Sequence, residues 1–377
     1  MIGILTFHKS VNYGSVLQAW ALQHMLTLRG IESEIIDYEP ARYGELYDVF
    51  LGPGTPRFLI KNLNRVPVMR ILSRQKESFA RFRRDHLRIS ERSYGPADQE
   101  AIGLRPYDAI ITGSDQIWNT GASDADPVYF LPFPTPGRKA AYAVSLNTGS
   151  LGTGPESETY RDWILDYDYL SCREQNGVDI LHGLIGEDRQ VDLALDPTLL
   201  HKKKEYARVT SPRRIRGKYI FLYYVWYNES VVRAARTIAK RTGLPVYTIE
   251  MAKGGRAYLR LIKNGIRPVT RTLAPGDYLS LIRYASYVVT DSFHGTAFSL
   301  IFEKPFVSIN DGDRDKGFKD DVRIAGILDR LGIPERYISC EEAETFDLDR
   351  PVDYRAVTAA RLRLAAASAD RLLTALK

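Results

Sequence analysis

Strand-like and helix-like segments alternate along this chain from its first residues to about residue 310. The unit at 287–309 shows the pattern most clearly. YVVT has the composition of a strand, DSFHG turns the chain, an amphipathic helix follows, and a second strand begins at Phe306 after Pro305. Such alternation is typical of parallel sheets covered by helices on both faces, because parallel neighbours need a crossover connection. We therefore predict an α/β fold.

The same pattern places ten strands and four main helices. Strands are expected at 2–7, 35–37, 109–112, 141–146, 169–172, 191–195, 219–225, 245–249, 287–290 and 306–309. Helices are expected at 15–29, 230–242, 277–284 and 357–376. The charged stretch at 201–218 lacks apolar periodicity, as a linker would. A cut there predicts domains at 1–205 and 206–350, followed by a helix at 351–377 that packs back on them.

The composition is that of a soluble globular protein, with 44% hydrophobic and 26% charged residues. No apolar run reaches the roughly 18–20 residues of a membrane span. Met1 leads directly into a strand-like segment, so we expect no signal peptide. The two cysteines, Cys172 and Cys340, form neither a disulfide framework nor a metal-ligand pattern, and no histidine motif for a metal occurs. A cytoplasmic protein without a bound metal is expected.

The net charge of +6 is concentrated in one segment. Residues 57–88 contain ten Lys/Arg and two acids, so the rest of the chain has a net charge of −2. We therefore expect no nucleic-acid partner. Apolar residues interleave the basic ones, which predicts one or two basic amphipathic helices. Either this segment packs its apolar side on the domain, or it contacts anionic lipid at the inner face of a membrane or a polyanionic substrate.

The DSFHG turn is a candidate anion site. Ser292, His294, Gly295 and Thr296 follow a strand and begin a helix, where unpaired N–H groups and the helix dipole attract negative charge. A histidine there can also transfer a proton near neutral pH. The alternative is an ordinary βα turn with Ser292 as the N-cap and His294 on the surface.

Two further strand ends are followed by polar residues. Asn12 and Tyr13 follow the first strand and offer hydrogen bonds and a stacking face to a sugar, unless Asn12 and Gly14 only shape the turn. The G-x-G-x-x-G spacing of dinucleotide sites is missing there. Asp115 and Gln116 follow the strand at 109–112, and Asp115 could accept a proton from a hydroxyl nucleophile or merely cap a turn.

Arg173 also follows a predicted strand. A sheltered arginine suits fork-like recognition of carboxylate or phosphate. The alternative is a local pair with Glu174. A G-x-S-x-G elbow and a Walker loop are both missing from the sequence, which leaves hydrolase and nucleotide-triphosphatase chemistry without support.

Five motifs together resemble those of the polysaccharide pyruvyl transferase family. They occur in the family's order and at its spacing, and the resemblance extends from Met1 to about Ile333. The motifs are NYGSVLQAWALQ, GSDQIWN, SCRE, DPTLL and DSFHGTAFSLIFEKPF. The resemblance implies a GT-B-like fold with two Rossmann-like lobes facing a central cleft, the first for the acceptor and the second for the donor. Such enzymes transfer pyruvate from phosphoenolpyruvate to a sugar of a surface polysaccharide, such as an exopolysaccharide, or of its lipid-linked precursor, forming a ketal.

The resemblance also implies residue roles. His294 would bind the donor phosphate and act as general acid, with Ser292, Gly295 and Thr296 beside it. Arg173 and Arg323 would bind the donor, and the loops with Asn12, Tyr13, Asp115 and Gln116 would face the acceptor. Phosphoenolpyruvate is then a substrate, and no cofactor is required.

This sequence departs from the family's usual pattern at two places. SLNTG at 145–149 replaces the more common S-F-G, and DDV at 320–322 replaces the asparagine that usually precedes the arginine-isoleucine pair. The sequence is also compatible with two other functions. One is a nucleotide-sugar glycosyltransferase, since the same architecture serves it. The other is a non-catalytic protein that binds glycan or lipid through 57–88.

Overall fold

The first sheet has seven parallel strands. The computed structural model describes residues 1–52, 58–147, 149–152, 154–249, 254–271, 273–310 and 321–377. The strand order is β3-β2-β1-β4-β5-β6-β7. The strands are β1 (Ile2–Leu5), β2 (Ser33–Tyr38), β3 (Ile89–Tyr94), β4 (Ala109–Asp115), β5 (Arg138–Val144), β6 (Tyr169–Cys172) and β7 (Asp192–Leu193).

The second sheet has six parallel strands in the order β10-β9-β8-β11-β12-β13. In the register of its centre, Val288 lies opposite Phe221 and Phe306. The next row, on the other face, places Val289 opposite Leu222 and Val307, so apolar side chains fill both faces. The strands are β8 (Ile220–Tyr223), β9 (Val246–Thr248), β10 (Ile266–Pro268), β11 (Tyr287–Thr290), β12 (Phe306–Ile309) and β13 (Tyr337–Ile338).

Helices connect these strands and cover the sheets. In chain order they are α1 (Tyr13–Leu28), α2 (Tyr43–Tyr47), α3 (Phe58–Arg65), α4 (Met69–His86), α5 (Gln99–Gly103), α6 (Pro155–Leu165), α7 (Gln175–Ile185), α8 (Lys203–Tyr206), α9 (Glu229–Thr242), α10 (Gly255–Lys263), α11 (Pro275–Tyr284), α12 (Phe293–Ile301), α13 (Val322–Arg330) and α14 (Tyr354–Ala375). The prediction of two α/β lobes with parallel sheets is confirmed. Over the described ranges, no helix is both long enough and apolar enough to cross a membrane.

Three strands were not predicted, and their sequences explain why. β3 is an edge strand whose ISERSY sequence exposes three consecutive polar residues. β10 and β13 have only three and two residues, too few for a period-two pattern. Short, polar edge strands avoid pairing with other chains, which is also what makes them hard to predict.

The predicted linker runs between the two sheets. All strands of the first sheet lie within 1–205, and all strands of the second lie within 206–350. The linker contains the single-turn helix α8 and is anchored by the buried Tyr206, whose hydroxyl donates to Thr198 O (2.7 Å). The C-terminal helix α14 packs back on both lobes. Arg361 donates to Leu199 O (2.6 Å) in the first lobe, and the Tyr354 hydroxyl donates to Lys304 O in the second.

The two lobes share one apolar core. Tyr13, at the start of α1, stacks on Tyr278 of α11 with ring centroids 5.0 Å apart. The Tyr13 hydroxyl donates to Leu273 O (3.2 Å) and accepts from Gln75 Nε2 (3.1 Å). This aromatic contact fixes the first turn of α1 against the second lobe.

The predicted basic segment forms two helices with different environments. α4 buries Gln75, Phe79 and Phe82, so it is a helix that packs one side on its own domain. α3 has no buried residue. Arg57, at the start of the predicted segment, lies outside the described residues.

Candidate active site

The carboxyl ends of the central strands of both sheets meet across a cleft, where α1 and α12 begin close together. A Cβ atom added to Gly14 of α1 would lie 2.0 Å from Nδ1 of His294 in α12. The imidazole therefore rests directly on the backbone of the first lobe, and only a glycine allows this approach. His294 is 7% exposed, so it is not the ordinary surface residue of the alternative interpretation.

The other residues of the DSFHG turn support this placement. Ser292 is the N-cap of α12, and its Oγ accepts from Gly295 N (3.5 Å). A side chain on Gly295 would lie 2.2 Å from Thr290 Oγ1, so glycine lets the helix approach its strand closely. Thr296 Oγ1 bonds Ser292 O (3.1 Å) and Ser308 Oγ (2.7 Å) and is fully buried. Thr296 thus stabilises the turn through hydrogen bonds on its buried side and does not face the cleft.

Asp196 lies at the centre of the site, between His294 and Arg173. Its Oδ2 lies 3.6 Å from His294 Nε2 and accepts from Arg173 Nη1 at 2.7 Å. Its Oδ1 accepts from the N–H (2.9 Å) and hydroxyl (2.7 Å) of Thr198. Burial opposes its ionisation, but His294, Arg173 and Thr198 hold the pKa of this carboxyl well below its usual range. Asp196 therefore stays negative and joins a residue of each lobe.

Arg173 is buried at the end of β6 among three carboxylates. Besides the bond to Asp196, its Nη2 lies 3.7 Å from Asp115 and its Nε lies 3.8 Å from Glu174. Its guanidinium carbon is 4.4 Å from the centre of the Phe293 ring. Among the described residues, none makes a hydrogen bond to Nε or Nη2 of Arg173. Two charged N–H donor groups of Arg173 thus remain for an anion. The main partner of Arg173 is Asp196, and not Glu174 as in the alternative interpretation.

Glu174 supports the neighbouring loop. Its Oε1 accepts from the backbone N–H groups of Leu146 (3.0 Å) and Asn147 (3.1 Å). Burial raises the pKa of the Glu174 carboxyl, although Arg173 and Arg323 oppose the rise. Leu146 and Asn147 of the SLNTG departure are thus hydrogen-bonded to the carboxylate that lies beside Arg173. Thr148 lies outside the described residues.

Asp115 ends β4 in a left-handed conformation, with φ of 75°. Such backbone strain in a residue other than glycine is concentrated at functional sites. Its Oδ2 accepts from Ser15 Oγ, and its Oδ1 accepts from the N–H of Gln116 (2.9 Å). The Gln116 side chain is half-buried and accepts from Asn119 Nδ2 (2.8 Å). Asp115 is thus held at the cleft beside Arg173, with Gln116 next to it.

Arg323 reaches the same cluster from the second lobe. Its Nε donates to Oδ1 of Asp321 (2.8 Å), and Nη2 pairs with Oδ2 of the same carboxylate. Although burial opposes its charge, Asp321 raises the pKa of Arg323, and the charges of Glu174 and Asp115 add to this effect. The departure in this motif therefore supplies a carboxylate that holds Arg323. Asp320 lies outside the described residues.

Asn12 and Tyr13 have structural roles. The Oδ1 of Asn12 accepts from the N–H groups of Gly14 (2.9 Å) and Ser15 (3.4 Å), so Asn12 is the N-cap of α1. Tyr13 has no exposed surface and lies in the shared core. Contrary to expectation, the Tyr13 ring therefore offers no face to an acceptor in this structure.

Several site residues were not identified from the sequence. Asp196 has no predicted role, although Asp before Pro at a strand end is a usable signal. Ser15 and Phe293 were not singled out, because their roles depend on contacts between distant segments. Asp321 was noted only as part of the DDV departure, without a role. In the ranges that the structure describes, no cluster of three or more His, Cys, Asp or Glu is arranged to hold a metal ion.

The buried carboxyl of Asp291 gives the stability of the protein a testable pH dependence. Burial raises the pKa of its carboxyl from 3.8 to about 7, the Asp321 charge adds to the rise, and a hydrogen bond from Asn228 opposes it. The folded protein thus holds a proton that the unfolded chain releases, so the free energy of unfolding should fall as the pH rises from about 4 to about 7. Asp291→Asn should raise this free energy at pH above 7, by about 1–2 kcal/mol.

Urea unfolding across this pH range measures the effect. Asp188→Asn, at an exposed carboxylate, serves as the control and should leave the pH profile unchanged. An Asp291→Asn profile that keeps the wild-type slope would contradict the assignment.

Comparison with solved structures defines the class of fold. A putative UDP-N-acetylglucosamine 2-epimerase from Listeria monocytogenes has a TM-score of 0.53 at 10% identity, covering 100% of this chain and 95% of that one. The UDP-GlcNAc 2-epimerase from Methanocaldococcus jannaschii has a TM-score of 0.49 at 12% identity, covering 99% and 98%. E. coli heptosyltransferase WaaC with ADP-2-deoxy-2-fluoro heptose has a TM-score of 0.37 at 13% identity, covering 82% and 89%. The two parallel sheets, together with the first of these likenesses, show a two-lobed protein with a GT-B-like fold.

Sequence comparison then gives the family. Residues 12–313 match the family described as polysaccharide pyruvyl transferase. The chain belongs to this family, which confirms the resemblance. No curated protein matches the chain in sequence.

Proposed function

We propose that this protein transfers a pyruvyl group from phosphoenolpyruvate to two hydroxyls of a sugar, in a surface polysaccharide or its lipid-linked precursor, and so forms a pyruvate ketal. The observation that best supports this proposal is the convergence of His294, Arg173 and Arg323 from both lobes beside the carboxylate of Asp115. Membership of the pyruvyl transferase family agrees with it.

The donor requires a small site with several positive groups. Phosphoenolpyruvate has a carboxylate and a phosphate a few bonds apart. The free donors of Arg173 and the start of α12 at His294 are suited to these two anions. Arg323 approaches from the opposite side and can bind whichever anion lies nearer the second lobe. We expect donor binding to displace the Phe293 ring, which now covers Arg173.

The proposed reaction needs an acid for the donor and a base for the acceptor. His294 gives a proton to C3 of the enolpyruvate, and C2 becomes electron-deficient. A sugar hydroxyl attacks C2 and loses its proton to Asp115. The bond between C2 and the phosphate oxygen then breaks, and phosphate leaves with the bonding electrons and takes the proton from Asp115. A second hydroxyl attacks C2 and gives its proton to His294, which closes the ketal ring and restores the acid. Arg173 and Arg323 stabilise the negative charge on the leaving phosphate.

The first lobe would bind the acceptor. Asp115 and Gln116 lie at its edge of the cleft, and Asn12 fixes the adjacent start of α1. We place the reaction in the cytoplasm, where phosphoenolpyruvate is produced.

A calorimetric titration of phosphoenolpyruvate into the protein tests whether phosphoenolpyruvate is the donor. We expect saturable binding that weakens about tenfold or more in Arg173→Lys, because an ammonium cannot replace the planar guanidinium fork. Arg161→Lys, at an exposed arginine of α6, is the matched control. Unchanged donor affinity in Arg173→Lys would refute the role of Arg173. Binding of nucleotide-sugars in place of phosphoenolpyruvate would identify a glycosyltransferase instead.

A further inference from the structure

Two neighbouring helices from different lobes expose large apolar side chains. In α3, Leu59, Ile60 and Leu63 project into solvent, and Leu63 is 72% exposed. In α10, Leu259 and Ile262 do the same at a spacing of three residues, with Leu259 57% exposed. We propose that α3 and α10 together form a docking surface for a membrane of anionic lipids.

The two helices are in direct contact. Asn64 at the end of α3 accepts through Oδ1 from Arg256 N of α10 (3.2 Å). A side chain on Gly254 would lie 2.1 Å from Asn64 Nδ2, and one on Gly255 would lie 3.1 Å from Pro67 Cγ. The apolar rows therefore belong to one surface that bridges the lobes.

The charge of this surface specifies the kind of partner. Residues 58–76 and 254–263 contain no Asp or Glu. Exposed cations belong to the same segments: Lys61 in α3, Arg70 at the start of α4, and Arg256, Arg260 and Lys263 in α10. Large apolar side chains with a basic border and no acids are typical of helices that lie in the interface of an anionic bilayer. A second copy of this chain would bring the same cations together across a twofold axis, which is unfavourable.

The surface lies at the mouth of the cleft. α10 follows β9 and α4 leads into β3, so the start of α10 and the junction of α3 with α4 lie at the carboxyl-end edges of the two sheets. The residues of the candidate active site, among them Arg173, Asp115 and His294, lie at these same edges. A docked protein would therefore present its cleft to the membrane, where a lipid-linked acceptor would be found. The docking itself does not depend on the proposed reaction.

Co-sedimentation with vesicles tests the proposal. Wild-type protein should bind vesicles of phosphatidylcholine mixed with phosphatidylglycerol, and binding should weaken at high salt and on pure phosphatidylcholine. Leu259→Ser/Ile262→Ser in the second lobe should reduce the partition coefficient about tenfold or more, as should Leu59→Ser/Leu63→Ser in the first.

Matched controls separate this surface from general effects. Leu104→Ser removes an apolar side chain that is 83% exposed elsewhere on the first lobe, and Arg81→Glu/Arg84→Glu reverses charge at the far end of α4. Both controls should bind vesicles nearly as well as wild type. Absence of binding to anionic vesicles, or full binding by the α10 variant, would overturn the proposal. Concentration-dependent dimers in analytical ultracentrifugation that the same variants abolish would also overturn it.

Phosphoenolpyruvate affinity keeps the two proposals distinct. The α3 and α10 variants should bind phosphoenolpyruvate as tightly as wild type does, because none of the substituted residues belongs to the candidate active site. A variant that loses vesicle binding but keeps its affinity for phosphoenolpyruvate would thus be defective in membrane docking alone.

Discussion

Replacing His294 with alanine is expected to lower turnover by about 10²- to 10⁴-fold, because this is the rate enhancement that a general acid usually contributes. The imidazole lies at the start of α12, rests on Gly14 and is 3.6 Å from Asp196. Alanine would remove the proton donor and leave the helix and its Ser292 cap in place. The rate of phosphate release from phosphoenolpyruvate at saturating acceptor measures the effect.

Two comparisons make this result specific. His182→Ala, in the last turn of α7, removes an imidazole away from the cleft and should keep wild-type turnover. Circular dichroism should show that the His294→Ala protein is folded. Near-normal turnover in that folded variant would exclude His294 as the acid.

Replacing Asp196 with alanine is expected to lower the free energy of unfolding by about 3–5 kcal/mol. This carboxylate has no exposed surface, and it pairs with Arg173 and accepts both hydrogen bonds from Thr198. Its removal would leave a buried guanidinium with weaker partners at 3.7 Å and 3.8 Å. Urea unfolding monitored by fluorescence measures the loss.

A double variant distinguishes a lost charge pair from a general packing defect. Asp196→Ala/Arg173→Met removes both charges, so it should be less destabilised than Asp196→Ala alone. Asp188→Ala, at an exposed site, should change the free energy by no more than about 0.5 kcal/mol. A double variant less stable than the single one would show that Arg173 has adequate partners without Asp196.

The fold was largely predictable because its central strands have strong local patterns. β6, β11 and β12 have the predicted boundaries, since each is a short apolar run followed by a polar residue. The edge strands β3, β10 and β13 were missed because they are short or polar. The shared core between the lobes was also not predictable, since the Tyr13–Tyr278 contact joins segments more than 250 residues apart.

The candidate site was predictable only residue by residue. Helix starts and strand ends pointed to His294, Asp115 and Arg173, because ligand sites in parallel sheets lie at those edges. Sequence could not show that Asp196 joins two of them, nor that Gly14 makes room for the imidazole. Both facts depend on how the second lobe rests on the first, which no local pattern encodes.

The apolar core that continues from one lobe into the other affects how such proteins can be recombined. Here the start of α1 and the face of α11 are parts of a single buried aromatic cluster, so a transplanted half would expose its share of that cluster unless the matching face came with it. A chimera designed to accept a new sugar should therefore exchange strand-end loops, such as the one after Asp115, and keep both lobes from one parent.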